Sequence, residues 1–223
     1  MMLTRLICCS FKCASLLVLL LIVAVVSAKK HENPANDLVN LINENRTAQK
    51  LPKLNESPGL GCIALQYIEE CKNNCTSNNT VACKPSEDDF TEVFAPNCGV
   101  ELPTFGTISG RVVACHSKYL APSEAFSHIF AQDKKLLSVL KDQKHTEVGI
   151  GLVGMRHGPF FWSVLFSSDR VNSTFVLEDL GKGIKQKQGC FSGANFPCSS
   201  AARISLFLNP MPIIFILFIY RIL

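Results

Sequence analysis

Eight cysteines follow residue 28, at Cys62, Cys71, Cys75, Cys83, Cys98, Cys115, Cys190 and Cys198. No other side chains here have as wide a chemical repertoire, and three uses compete: metal ligation, nucleophilic or redox work, and disulfide bonding. Cys71 and Cys75 are close enough in sequence for metal or redox chemistry, and Cys115-His116 sets a thiol beside an imidazole. A nucleophilic thiolate needs a base that faces it, and chain neighbours do not face one another by default. An even set of cysteines in a secreted chain reads as disulfides, with a connectivity that sequence leaves open. His116, His128, His145 and His157 lie on separate elements with no i, i+4 pair, so each reads as an ordinary histidine rather than a ligand. Glu69-Glu70 and Asp88-Asp89 are adjacent carboxylates that point apart, which makes them solvated faces rather than acid/base pairs. There is no Gly-x-Ser-x-Gly elbow, no P-loop and no His-Glu-x-x-His. The residues predict no catalytic group, no metal and no cofactor.

The compartment in which those cysteines mature is set by the two ends of the chain. Of 223 residues 48% are hydrophobic and 18% charged, enough for one medium domain, and the apolar residues concentrate in blocks at 14–27 and 204–223. Residues 1–28 carry Arg5 and Lys12, then the apolar run Leu16 to Val26, then Val26-Ser27-Ala28: a secretory signal peptide with a small-residue cleavage site. The run is shorter than the roughly 20 residues of a bilayer span. In the tail, Asn209, Pro210 and Pro212 interrupt the apolar block, and Ile213 to Tyr220 is again too short to span. Small residues precede it at Ser192-Gly193-Ala194 and Ser199-Ser200-Ala201-Ala202, the pattern of a glycosylphosphatidylinositol (GPI) attachment signal. Cleavage after Ser192 would strip Cys198 and leave an odd thiol, so Ser199 or Ser200 is the favoured anchor residue, although Ser192 leaves the better polar spacer. The expected organisation is a signal at 1–28, an ectodomain at 29–181, a polar stalk at 182–199 and a removed propeptide at 200–223.

Arg5, Lys12, Arg203 and Arg221 account for the formal charge of +4; setting them aside from 22 basic residues leaves 18 against 18 acidic ones. A neutral ectodomain excludes nucleic acid as a partner, because phosphate binding would have no net charge behind it. Five Asn-x-Ser/Thr acceptors, at Asn45, Asn55, Asn74, Asn78 and Asn172, predict N-glycosylated surface positions.

Within the ectodomain, Leu38, Val39, Leu41, Ile42 and Ala48 follow helical spacing after an Asn36-Asp37 start that can serve as an N-cap. Asn55 to Gly61 reads as a loop. Leu60, Ile63, Ala64, Tyr67, Ile68 and Cys71 give a second helix. Residues 73–90 are polar, and 91–115 carry Pro96, Gly99, Pro103, Gly106 and Gly110, which is loop chemistry that disulfides must hold together. After Pro122-Ser123 a third helix runs over 124–141 and packs on a sheet. That sheet is a β-hairpin: Glu147 to Met155, a turn at Arg156-His-Gly-Pro159, and Phe160 to Phe166.

The stretch Ala125 to Leu140, followed by Thr146-Glu-Val-Gly-Ile-Gly-Leu152 and Phe161-Trp-Ser-Val-Leu-Phe166, resembles the third helix and central hairpin of CAP (SCP-like) secreted domains. Asp37 to Arg46 with Leu51-Pro-Lys-Leu54 is similar to their first helix. Over about 36–170, and with the anchor signal, the chain most resembles plant uncharacterised GPI-anchored proteins with a reduced CAP-like domain. The resemblance implies an α+β sandwich of helices around a small antiparallel sheet, stabilised by disulfides. CAP domains often hold a divalent metal between two His and two acidic residues. Here Phe161 stands at the second His, Val164 at the following Gln, and no Gly-Glu-Asn block occurs, so that site is not expected.

These readings predict a glycolipid-anchored plasma-membrane protein that is a non-enzymatic binding module for a peptide, a receptor ectodomain or a cell-wall component. The alternative is a sterol or fatty-acid carrier with an apolar cleft near Phe160, Phe161 and Trp162. A degenerate hydrolase at Cys115 and His116 ranks below both.

Overall fold

Gly149 and Gly151 allow a helix to lie directly on the strand that contains them. A Cβ at Gly149 would stand 2.2 Å from the backbone nitrogen of Gly61, and one at Gly151 2.3 Å from that of Leu65. A computed structural model of the chain describes residues 33–154, 158–169, 174–181, 185, 187–194 and 198. The chain divides into two units, Met1–Glu32 and Asn33–Leu223, and every described residue belongs to the second.

The fold is α+β. Its sheet is built from β1 (Asn55–Glu56), β2 (Ile108–His116), β3 (Glu147–Gly154), β4 (Phe160–Ser167) and β5 (Cys190–Phe191). The order is β1-β3-β4-β2, with β5 also on β3; β3–β4 and β4–β2 are antiparallel, and β1 lies parallel to the start of β3. Side chains alternate across the sheet and feed two cores. On one face Val148, Ile150, Leu152, Trp162, Val164 and Phe166 meet α1 (Pro34–Ala48) through Leu38, Val39 and Ile42. On the other, Val153, Phe161 and Leu165 meet α2 (Pro58–Glu70) through Leu60, Ile63 and Tyr67. Both helices start at a side-chain cap followed by proline, which suits the first helical position. Asn33 accepts the N–H of Ala35 at 3.0 Å and Ser57 that of Leu60 at 3.4 Å.

The predicted hairpin is present, and four elements depart from expectation. Helix α1 begins before Asn36-Asp37, because Asn33 is the cap and Asp37 falls in the first turn. The expected loop at 55–61 contains β1 and the first turn of α2. In the expected loop region 91–115 lie a π-helical turn at Phe90–Phe94, α3 (Ala95–Cys98), a 3-10 turn at Leu102–Thr104 and the nine-residue β2. The third helix is three pieces: α4 (Pro122–Ala125), a π-helical turn at Phe126–Phe130, and α5 (Lys134–Leu140). Asp133 causes the restart, since its carboxylate accepts the N–H groups of Lys135 at 2.8 Å and Leu136 at 3.2 Å.

The segment expected to be a solvated stalk, 182–199, is corrected most. Cys190 and Phe191 pair with Leu152 and Gly151 as strand β5. Gln66 donates to the Lys185 carbonyl at 3.2 Å, and Gly193 N–H to the Asn36 side chain at 2.9 Å. This is a strap bound to the free edge of β3. No helix among the described residues is long and apolar enough to cross a membrane. The expected signal at 1–28 and the expected propeptide at 200–223 lie outside the described residues.

Candidate functional site

The alternation of β4 puts Phe161 on one face of the sheet and Phe160 with Trp162 on the other. Phe161, 0% exposed, belongs to the core under α2, and Trp162, 3% exposed, to the core under α1. They face away from each other, so the three aromatics expected near one apolar cleft do not all lie on one face of the sheet. Phe160 alone is half-buried, at the start of the strand. Its ring meets that of Tyr119 edge to face, with centroids 5.3 Å apart and planes at 69°. Tyr119 is 49% exposed and follows exposed Lys118. Burial pushes its phenol pKa up, and the carboxylates of Asp37 and Glu124 push the same way. Glu124 is itself exposed while its Oε2 accepts the Ala121 N–H at 3.0 Å. Periodicity gave no signal for Tyr119, because it lies between β2 and α4.

A second cluster occupies the opposite end of the sheet. The β2–β4 register shifts between Ile108 and Gly110, leaving Ser109 at a bulge. The Ser109 hydroxyl is 2.8 Å from Nδ1 of His145, whose ring stacks on Phe166 at 4.5 Å and covers Gly110, where a Cβ would stand 2.7 Å from the imidazole. Burial lowers the His145 pKa; Asp142 opposes this and Arg46 reinforces it. The Val139 backbone also bonds the ring and opposes the shift, while Asp142 accepts the Lys144 N–H at 2.9 Å. The pair is thus a hydroxyl beside a neutral base, with no carboxylate bonded to the imidazole. Glu147 is buried on the other face, its pKa raised first by burial and further by Asp169, while Thr174 and Ser167 oppose the shift.

The cysteines form Cys62–Cys98, Cys71–Cys83, Cys75–Cys115 and Cys190–Cys198. Cys71 and Cys75 therefore go to different partners, and Cys115 has no thiol with which to serve the hydrolase expectation. His116 bonds the backbone of Lys118, Nδ1 lying 2.9 Å from its carbonyl oxygen. His128 is exposed, and His157 lies outside the described residues. No group of three or more His, Cys, Asp or Glu suited to a metal occurs among the described residues.

Asn55, Asn74 and Asn78 are exposed. Asn45 is half-buried on the last turn of α1, where Oδ1 accepts from Gln49 at 2.6 Å; Asn172 lies outside the described residues. Of the three serines expected as anchor residues, Ser192 is fully buried. Its hydroxyl accepts the Ile150 N–H at 3.0 Å and its own N–H donates to the Ile150 carbonyl at 2.9 Å. Ser199 and Ser200 lie outside the described residues, immediately after Cys198.

No protein-family model matches the chain, and no curated protein sequence matches it significantly. Several solved structures overlap it in part, among them three from bacteria. An outer surface protein of Borrelia burgdorferi is 14% identical over 61% of this chain and 93% of its own, with a TM-score of 0.47. A cysteine-rich secretory protein of Staphylococcus aureus is 19% identical over 64% of this chain, with a TM-score of 0.41. An extracellular protein of Bacillus anthracis containing an SCP domain is 12% identical over 61% of it, with a TM-score of 0.44. The chain spans 40% of the length of each of the last two. Overlap at this level speaks to neither ligand nor activity.

Proposed function

We propose that this chain is a GPI-anchored, N-glycosylated protein of the outer plasma-membrane surface whose α+β domain binds a peptide, a receptor ectodomain or a cell-wall component rather than catalysing a reaction. The observation that carries the proposal is the Cys190–Cys198 disulfide together with buried Ser192. Cutting after Ser192 would remove a half-cystine and the residues that follow a hydroxyl built into the sheet edge. Cutting after Ser199 or Ser200 keeps all four disulfides, which favours those serines as the lipid-bearing residue. Four disulfides also support maturation in an oxidising compartment. The resemblance of Thr146–Leu152 and Phe161–Phe166 to CAP domains supports reading the domain as a reduced CAP-like one of the plant GPI-anchored group.

The test is treatment of intact expressing cells with phosphatidylinositol-specific phospholipase C, followed by mass analysis of the released C-terminal peptide. Release with a peptide ending at Ser199 or Ser200 is expected. Retention on the cells with residues 204–223 still present would overturn the anchored reading. For the binding role, the released protein should retain a saturable partner from extracellular extracts; absence of any such partner counts against it.

A further inference from the structure

Two aromatic rings set at a steep angle, open to water and flanked by a carboxylate, suit a quaternary ammonium group, whose charge is drawn to the ring faces and whose methyl groups shed water against them. Tyr119 and Phe160 meet at 69° with Tyr119 half exposed, and Glu124 is near enough to act on the Tyr119 phenol. Phe160 is fixed by its register against His116 and Gly154, and Glu124 by the cap it gives to Ala121.

The position of this pair points to the source of the ammonium. Cys198 lies with its sulfur 3.5 Å from the side-chain oxygen of Asn33, the cap of α1. Asp37 closes the first turn on the Asn33 carbonyl at 3.2 Å, and its charge reaches the Tyr119 phenol. The aromatic pair and the last residue before the anchor serines therefore share one end of α1. Two extended residues span at most about 7 Å, so the lipid attachment begins close to that end.

We propose that Tyr119, Phe160 and Glu124 form a headgroup site for choline on the membrane lipids that surround the anchor. The proposal rests on the anchored reading for the origin of its ligand. Tethering makes a weak site sufficient, because a short linker holds site and bilayer together at an effective concentration of about millimolar. Occupied, the site would turn a domain swinging on its glycolipid into one held in a defined pose. Exposed Lys118, next to Tyr119, suits the phosphate of the same headgroup.

The experiment uses the phospholipase-released protein with phosphocholine as probe, read by saturation transfer to the N-methyl protons. Flotation on phosphatidylcholine and phosphatidylglycerol vesicles follows, at about 10 mM lipid, so that the untethered protein meets headgroups at no less than the concentration the tether would supply. Wild type should saturate phosphocholine, float on the phosphatidylcholine vesicles and be displaced from them by free phosphocholine. Tyr119→Ser and Glu124→Gln should each lower the methyl signal at least about fivefold; the Gln variant keeps the Ala121 cap, so its loss reports charge rather than folding. A methyl signal unchanged in both variants, or equal flotation on the two lipids, would overturn the proposal. Binding of free phosphocholine without flotation would support the ammonium site and overturn its assignment to membrane lipid. If the phospholipase releases nothing, the anchored reading falls, and the same titration on detergent-extracted protein still decides the site.

Discussion

Arg46 ends its buried side chain on backbone oxygens, donating to the carbonyls of Pro52 at 3.0 Å and of Leu140 and Asp142 at 2.9 Å each. One guanidinium thus ties the end of α1 to the end of α5 and to the chain entering β1. An ammonium has no planar fork with which to reach three acceptors. Arg46→Lys is expected to cost about 2–4 kcal/mol, the scale of losing charge-assisted bonds in a buried site, measured by urea unfolding; a loss under about 0.5 kcal/mol would contradict this account. Acidity acts on the neighbouring residue. His145 is held below its ordinary value of 6.5, so as pH falls below about 6.5 the unfolded chain takes up a proton that the folded one refuses, and stability is lost in that direction. Glu147 has the opposite sign. Held above 4.5, it favours the folded state at low pH, and that contribution is lost as pH rises through its folded value. The unfolding midpoint should therefore decline between neutral pH and about pH 5.5, at no more than about 1.4 kcal/mol per pH unit for one proton. His145→Gln should flatten that limb, and an identical slope in the variant would assign it elsewhere.

Contact between α2 and β3 leaves no room for a methyl group. Gly151→Ala sets a Cβ against the Leu65 nitrogen and the Ala64 carbonyl carbon, which are backbone and cannot rotate away. A loss of about 3 kcal/mol or more in thermal or urea unfolding is expected; a stable protein would mean that α2 can lift off the sheet cheaply. The same glycines explain what could be read in advance. Glu147–Gly154 and Phe160–Ser167 were legible because the first alternates glycine with aliphatic residues and the second is a nearly continuous apolar and aromatic run, as strands buried on both faces require. Strand β2 was hidden by Gly106 and Gly110, each of which stands where another side chain crosses close: Asp169 at the first, His145 at the second. Two-residue strands such as β1 and β5 leave no periodic trace. Among site residues, Phe160 could be picked out within its apolar run. Tyr119 and the Ser109–His145 pair could not, because tertiary packing joins residues far apart in the chain.

At the scale of the molecule, the disulfides divide by the length of chain they close. Cys62–Cys98 and Cys75–Cys115 span 36 and 40 residues, whereas Cys71–Cys83 and Cys190–Cys198 span 12 and 8. Chain entropy then predicts about 4 kcal/mol for each long bridge and about 2.5–3 kcal/mol for each short one. Paired Cys→Ser variants in denaturant series should fall in that order, and a Cys190→Ser/Cys198→Ser protein as unstable as one lacking Cys62–Cys98 would break it. That short bridge secures the strap, and the strap has a bearing on timing. Of the five strands, β5 is the last that a ribosome delivers, at ~5–20 residues per second. While it is awaited, β3 presents bare amides and carbonyls at Gly151 and Leu152, and the cap of α1 lacks the Phe191 carbonyl to which Asn33 donates at 2.6 Å. A nascent chain in that state shows an unfinished sheet edge, open to pairing with other strands, until Cys190 and Phe191 have been translated. The sheet and the α1 cap are therefore completed together, by the same late two-residue strand.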